Sequence, residues 1–182
     1  MTGAQGFIGS WVIKSLVADR KDIIALDVDD RQVRISLLLD REQMRRIRFV
    51  CGDVTNLDLV KNLIKKQNVS HVIHLAGLQT PDCKAKPILG ATVNVVGFLT
   101  IFEAVKACGN QVCSIVYASS GSVLGSDAQY SHPIGDQAER IPGTLYAVFK
   151  STNEECARIY WQEEGIRSVG LRPPVVYGIG RD

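Results

Sequence analysis

The chain has 182 residues, of which 46% are hydrophobic and 22% charged, with a formal net charge of +2. That length suits one domain with a real core, and the composition is that of an ordinary soluble globular protein. The near-neutral balance gives no electrostatic case for nucleic acid or for a membrane surface, so neither is expected as a partner.

The predicted elements alternate. Phe7 to Ala18 follows a glycine turn and places Ile8, Trp11, Val12 and Leu16 at helical spacing. Asp22 to Asp27, D-I-I-A-L-D, reads as a short buried strand. Residues 31–46 read as helix plus loop, and the arginines from Arg41 to Arg48, with acidic residues just before and among them, as a solvated helix face. A strand at Ile47–Cys51, an amphipathic helix at Asn56–Lys65, a strand at Val69–Leu75 and a long helix at Lys86–Cys108 come next. Val112–Ala118 is a buried-type strand, and residues 121–143, rich in Gly, Ser, Asp and Pro, an ordered loop. Leu145–Glu164 is a long helix and Ser168–Leu171 the last strand.

Short apolar strands separated by helices predict an α/β fold with a doubly wound parallel sheet of Rossmann type, covered on both faces. Only Met1 and Thr2 precede the first turn, where such a fold carries its central strand, and the chain stops at Asp182 soon after the last one. The expectation is one domain over 1–182, truncated or modified at both ends. The apolar stretch from Val93 to Phe102, broken by Asn94 and Gly97, is expected to be too short to span a bilayer.

Five cysteines without a C-x-x-C pair predict free thiols in a reducing, cytoplasmic setting. The start of the chain runs into glycines rather than a secretory leader. His71 and His74 fall at an odd offset in a strand, so they point to opposite faces, and no metal site is expected.

T-G-A-Q-G-F-I-G sets Gly3, Gly6 and Gly9 at G-x-x-G-x-x-G spacing. Glycine allows the tight turn, the approach of backbone to a pyrophosphate and close helix packing, with the phosphates at the positive helix N-terminus. Alone the motif is equally compatible with a structural turn. Asp27 strengthens it: it closes the next strand, roughly 20 residues on, where an acidic side chain accepts from an adenosine ribose and repels a 2′-phosphate. The expected cofactor is therefore NAD rather than NADP. Arg31 could soften that preference, although a surface arginine is the plainer reading.

Tyr146 and Lys150 form Y-x-x-x-K, which puts both on one helix face. An ammonium beside a phenol is expected to lower the phenol's pKa from near 10, as would a positive nicotinamide, readying it for proton exchange with an alcohol or ketone. The pair alone is weak, since chance supplies it in roughly one of three chains this long. Ser119-Ser120 directly after a strand adds weight, because ligand-contacting residues gather at the carboxyl ends of strands in open parallel sheets. One of the two serines is expected to be a cap or turn residue.

With T-G-A-Q-G-F-I-G, Asp27, Y-A-S-S-G-S-V-L-G and Y-A-V-F-K in order, the chain resembles the extended short-chain dehydrogenases/reductases, and more narrowly the NAD-dependent epimerase/dehydratase family. The resemblance implies cofactor contacts from Gly3, Gly6, Phe7, Ile8 and Gly9, and from Asp27, Asp53, Val54, Leu75, Ala76 and Gly77. It implies that Ser120, Tyr146, Lys150 and Asn94 are catalytic, Asn94 by supporting the site, and that Tyr146 and Lys150 also contact the cofactor, Lys150 at the nicotinamide ribose. R-P-P-V-V-Y-G, with Pro173, Val175, Tyr177 and Gly178, resembles the segment that passes the nicotinamide.

Family dehydratases usually carry Asp-Glu after the catalytic Ser/Thr; Gly121 and Ser122 stand here and argue against dehydration. Leu124 replaces a common tyrosine without clear consequence. The resemblance further implies that a C-terminal substrate domain is absent, and that the helices near 86–108 and 145–164 pair in a homodimer, although their apolar residues fit sheet-facing core nearly as well. The expected function is NAD-dependent hydride transfer at a secondary alcohol or ketone of a small molecule, with a nucleotide sugar as the family's commonest substrate. The alternative is a non-catalytic dinucleotide-binding or interaction module.

Overall fold

The computed structural model describes residues 1–126 and 130–181; residues 127–129, within the expected 121–143 loop, and Asp182 lie outside the described residues. The predicted strands form β1 (Ile23–Asp27), β2 (Ile47–Cys51), β3 (His71–His74), β4 (Ser114–Ala118) and β5 (Ser168–Leu171). All pairings are parallel, β1 with β2 and β3 with β4 with β5. Thr2 joins the two groups through parallel bridges to Leu26 and His74. The order is therefore β2-β1-β3-β4-β5, with Met1 and Thr2 in the central lane. There Met1 accepts from the Leu26 amide, and Thr2 bonds to Ile73 and Leu75.

Two cores form, one on each face of the sheet. Ile23 and Ala25 of β1 pack with Ile13, Val17, Ile35 and Ile47. Their neighbour Leu26 points the other way, into a cluster with Val72, Phe98, Ile101, Phe102, Ile115 and Tyr117. The first cluster is covered by α1 (Phe7–Ala18). The second is covered by α3 (Leu57–Lys66), α6 (Gly97–Lys106) and α7 (Leu145–Glu164). The short α2 (Arg41–Met44) is fixed by a capping box between Asp40 and Gln43.

Two elements depart from their predicted form. On α1 the buried face is Gly9, Ser10, Ile13 and Val17, one position away from the expected Ile8, Trp11, Val12 and Leu16. The helix seats closely beneath the glycine turn, so small and β-branched residues face inward and the bulkier ones flank the contact. The expected helix 86–108 is preceded by α4 (Thr80–Ala85) and contains α5 (Pro87–Ala91), a π-turn at Thr92–Val96, and α6. This helical run, Pro87–Lys106, is long and apolar enough to cross a bilayer by length and composition, contrary to the expectation, and half of it is buried in the protein. Its inward side is the aromatic cluster of Phe98 and Phe102 with Tyr117 and Tyr160. Ile88, Leu89 and Val96, with Leu145, Val148 and Ile159 of α7, stay exposed.

Capping bounds α7. Thr144 accepts from the Ala147 amide at its start. Gly165 ends it in the left-handed conformation, with the Gly165 and Ile166 amides returning to Trp161 and Tyr160.

His71 is exposed and His74 buried, as their odd offset requires. His74 Nδ1 lies 2.7 Å from the Thr2 hydroxyl, and burial pulls its pKa from 6.5 down to about 3. The unfolded chain thus takes up a proton near pH 6.5 that the folded chain refuses until about pH 3. Stability is complete above pH 6.5 and falls by roughly 1.4 kcal/mol per pH unit as the pH drops through that window. Urea unfolding at pH 7 and pH 5 should show about 2 kcal/mol of this loss. His74→Gln should remove most of it; an equal loss in the variant would sink the assignment.

Candidate active site and dinucleotide groove

The glycine turn, the ends of β1 and β2 and the loop after β3 enclose a groove of about 290 Å³. Of the residues singled out in the sequence, Gly3, Gly6, Asp27, Asp53, Val54, Leu75, Ala76 and Gly77 line it. Gln5, Val28, Asp29, Arg34, Leu78 and Val93, not singled out, line it too.

Gly3 has φ +66°, and a Cβ there would lie 2.5 Å from the Ala76 nitrogen. Gly9 does not face the groove; a Cβ on it would sit 2.2 Å from the Gly3 carbonyl oxygen. The first glycine therefore shapes the turn and the third lets α1 seat beneath it.

The Asp27 carboxylate accepts from the Gln5 amide at 2.8 Å and the Asp29 amide at 3.1 Å. This ties the end of β1 to the glycine turn. Each oxygen keeps a lone pair for a sugar hydroxyl. The buried Gln5 Oε1 has no hydrogen-bond partner. A groove with a helix N-terminus at its floor, a carboxylate at one end and an unsatisfied acceptor fits a dinucleotide with ribose donors. Arg31, weighed as a modifier of cofactor choice, is exposed and paired with Asp29 at 2.7 Å. Arg34 is the arginine on the groove wall, and its Nε donates to the Gly180 carbonyl at 3.0 Å.

The second group of residues meets beyond Gly77. A methyl built on Gly77 would lie 3.0 Å from Asn94 Oδ1 and 3.6 Å from Lys150 Nζ. Asn94 is buried in the π-turn, accepting from the Leu78 amide at 2.7 Å and donating to its carbonyl at 2.9 Å. Lys150 Nζ donates to the Ala118 carbonyl at 2.6 Å and lies 5.7 Å from the Tyr146 ring centroid. Burial lowers the Lys150 pKa to about 8.

The expected drop in the Tyr146 pKa is not found. Burial pushes the phenol up, and the nearby Ser120 hydroxyl, which pulls it down, does not offset this. Lys150 sits over the ring and bonds Ala118, so its charge does not offset that desolvation.

The serines divide their roles. Ser119 is fully buried and donates to Glu154 at 2.5 Å. Ser120 caps the 3₁₀ turn Gly121–Val123 by accepting from the Ser122 amide at 3.1 Å, and is also the serine that reaches Tyr146.

Phe7, Ile8, Pro173 and Val175 do not line the dinucleotide groove. Phe7 and Ile8 line a second, apolar groove with Trp11, Val176, Tyr177 and Ile179. The Pro173 carbonyl accepts from Gly121, next to Ser120, while Val175 and Tyr177 are exposed.

A family model described as the NAD dependent epimerase/dehydratase family matches residues 1–182. The chain belongs to that family. That family is NAD-dependent by its description, and the parallel sheet with its groove is its Rossmann fold.

UDP-glucuronate 4-epimerase 2 of Arabidopsis thaliana is 33% identical over 98% of this chain and 42% of its own length. UDP-glucose 4-epimerase of Mycolicibacterium smegmatis is 32% identical over 100% of this chain and 57% of its own. The crystal structure of Thermus thermophilus UDP-glucose 4-epimerase, a complex with NAD, superposes with a TM-score of 0.78 at 25% identity, over 94% of this chain and 53% of that one. The chain thus spans about half the length of these family members.

Proposed function

We propose that this chain carries the cofactor and proton-transfer machinery of an NAD-dependent epimerase acting on a nucleotide sugar. The observation that carries the reading is that Lys150 Nζ, next to Gly77 at the end of the groove, lies 5.7 Å from the Tyr146 ring, with the Ser120 hydroxyl near the same phenol. The epimerase relatives support the substrate class.

Bound NAD would supply the hydride acceptor for the carbon bearing the reacting hydroxyl and the donor for its return to the opposite face, with no net redox change over the cycle. Tyr146, as phenolate, takes the hydroxyl proton and later gives it back. Ser120 donates to the same oxygen and holds it against the phenol. Ala118 uses one of the three Lys150 donors, leaving others for the nicotinamide ribose beside Gly77. The charge of oxidised nicotinamide would then bring the phenol down from the elevated pKa it has without cofactor. Asn94 fixes the Leu78 backbone and hence the wall of the groove. Gly121 and Ser122 offer no carboxylate beside Ser120, which favours epimerisation over dehydration.

The test is incubation of the chain with NAD and UDP-glucose or UDP-glucuronate, with products resolved chromatographically. Appearance of the C4 epimer without accumulating NADH is expected. Stoichiometric NADH would make it a dehydrogenase instead, and cofactor binding without any turnover would favour the non-catalytic module.

A further inference from the structure

Glu154 stands four residues beyond Lys150 and eight beyond Tyr146 on α7, near the same helix face. The epimerase cycle gives it no proton to move. Its carboxylate nevertheless accepts four hydrogen bonds. Ser119 Oγ and Arg172 Nε donate to Oε1 at 2.5 and 2.8 Å. Arg172 Nη2 and Arg140 Nη1 donate to Oε2 at 2.7 and 3.1 Å. Burial raises its pKa, but Arg172, Ser119 and Arg140 outweigh that and hold it below the ordinary range. The carboxylate is ionised at neutral pH.

The donors come from separate parts of the fold that all border the site. Ser119 follows β4 and precedes Ser120. Arg172 follows β5, and its Nη1 also donates to the Asp136 carbonyl at 3.4 Å. Arg140 lies on the approach to α7 and pairs with Glu155 as well. A bidentate Arg172–Glu154 pair alone would tie β5 to α7. The Ser119 bond does something further: it fixes the residue that precedes Ser120 and so the turn that carries the Ser120 hydroxyl near the Tyr146 phenol.

We propose that Glu154 is the positioning residue of the Ser120–Tyr146 pair, setting the serine hydroxyl against the phenol by holding Ser119 and Arg172. This rests on the reading that Ser120 and Tyr146 hold the substrate oxygen, but its test needs no turnover.

The chain is labelled with carbon-13 at tyrosine Cζ and observed by NMR at pH 7. Loss of a signal in Tyr146→Phe identifies Tyr146, and Ser120→Ala gives its position without the serine bond. Glu154→Gln should move the Tyr146 signal toward the Ser120→Ala position. Ser119→Ala, milder for the fold, should move it the same way, and the double variant no further than Glu154→Gln alone. Glu164→Gln, which breaks a pair with Lys106 at the far end of α7, should leave it in place. An unmoved Tyr146 signal in folded Glu154→Gln or Ser119→Ala would overturn the inference; if Glu154→Gln does not fold, Ser119→Ala decides. Full epimerisation by Tyr146→Phe would overturn the catalytic reading instead, with these spectra unchanged.

Discussion

Gly3→Ala should abolish measurable NADH binding while a matched glycine change elsewhere leaves it intact. At φ +66° an L-residue costs roughly 1 to 2 kcal/mol. The new Cβ also meets the Ala76 nitrogen at 2.5 Å and the Leu75 carbonyl carbon at 2.6 Å, both backbone atoms that no rotamer can relieve. Relief must come from shifting the turn itself. Strain plus overpacking puts the total at about 3 kcal/mol or more. A displaced turn loses two or more amide bonds to the pyrophosphate, each about 1.5–3 kcal/mol, which amounts to a hundredfold or greater loss of affinity. Gly109→Ala is the control: it has φ +59° but nothing within 4 Å of the new methyl. It should lose about 1 kcal/mol of stability and bind NADH normally. Equal affinities for all three proteins, by fluorescence titration, would remove the glycine turn from the cofactor site.

Tyr146→Phe should lower the epimerisation rate by about 10² to 10⁴-fold, the usual contribution of a general acid–base group, with NADH affinity unchanged. The ring keeps its packing and loses only the hydroxyl that meets Ser120. The phenol's pKa is raised in the cofactor-free chain, so the wild-type rate should climb with pH as the phenolate forms. Lys150, with its pKa near 8, loses its charge as the pH rises past that value, which weakens its hold on the nicotinamide ribose and should oppose the climb. The profile is therefore expected to rise and then bend over on the alkaline side, and the variant should lose the rise. A variant with the wild-type rate and profile would place the proton transfer elsewhere.

Periodicity and local chemistry made much of this molecule legible. The limits of α1 and α7 follow from a glycine turn, a threonine cap and a terminal glycine, all local signals. β1 and β4 are short, mostly apolar runs between turn residues, and the G-x-x-G-x-x-G and Asp27 positions lie in the local spacing. What escaped depends on distant chain segments. The inward face of α1 is decided by how closely it seats beneath Gly3, which no spacing rule records. The π-turn that turns Asn94 toward Leu78 breaks the helical period within an otherwise uniform apolar run. The i,i+4 offset puts Tyr146 and Lys150 on one face of α7, but the raised phenol pKa comes from burial, a tertiary property. Glu154 could have been noticed as the next step of a Tyr-Lys-Glu stripe at four-residue intervals. Its partners Arg140 and Arg172 lie 14 and 18 residues away and become visible only in the fold.

The most direct test is a fluorescence titration of the 182-residue chain with NADH and, separately, NADPH. Asp27 at the groove end would place a carboxylate against a 2′-phosphate, so saturable binding is expected with NADH at least tenfold the tighter of the two. Binding of neither nucleotide, or tighter binding of NADPH, would contradict the assignment of the groove to NAD.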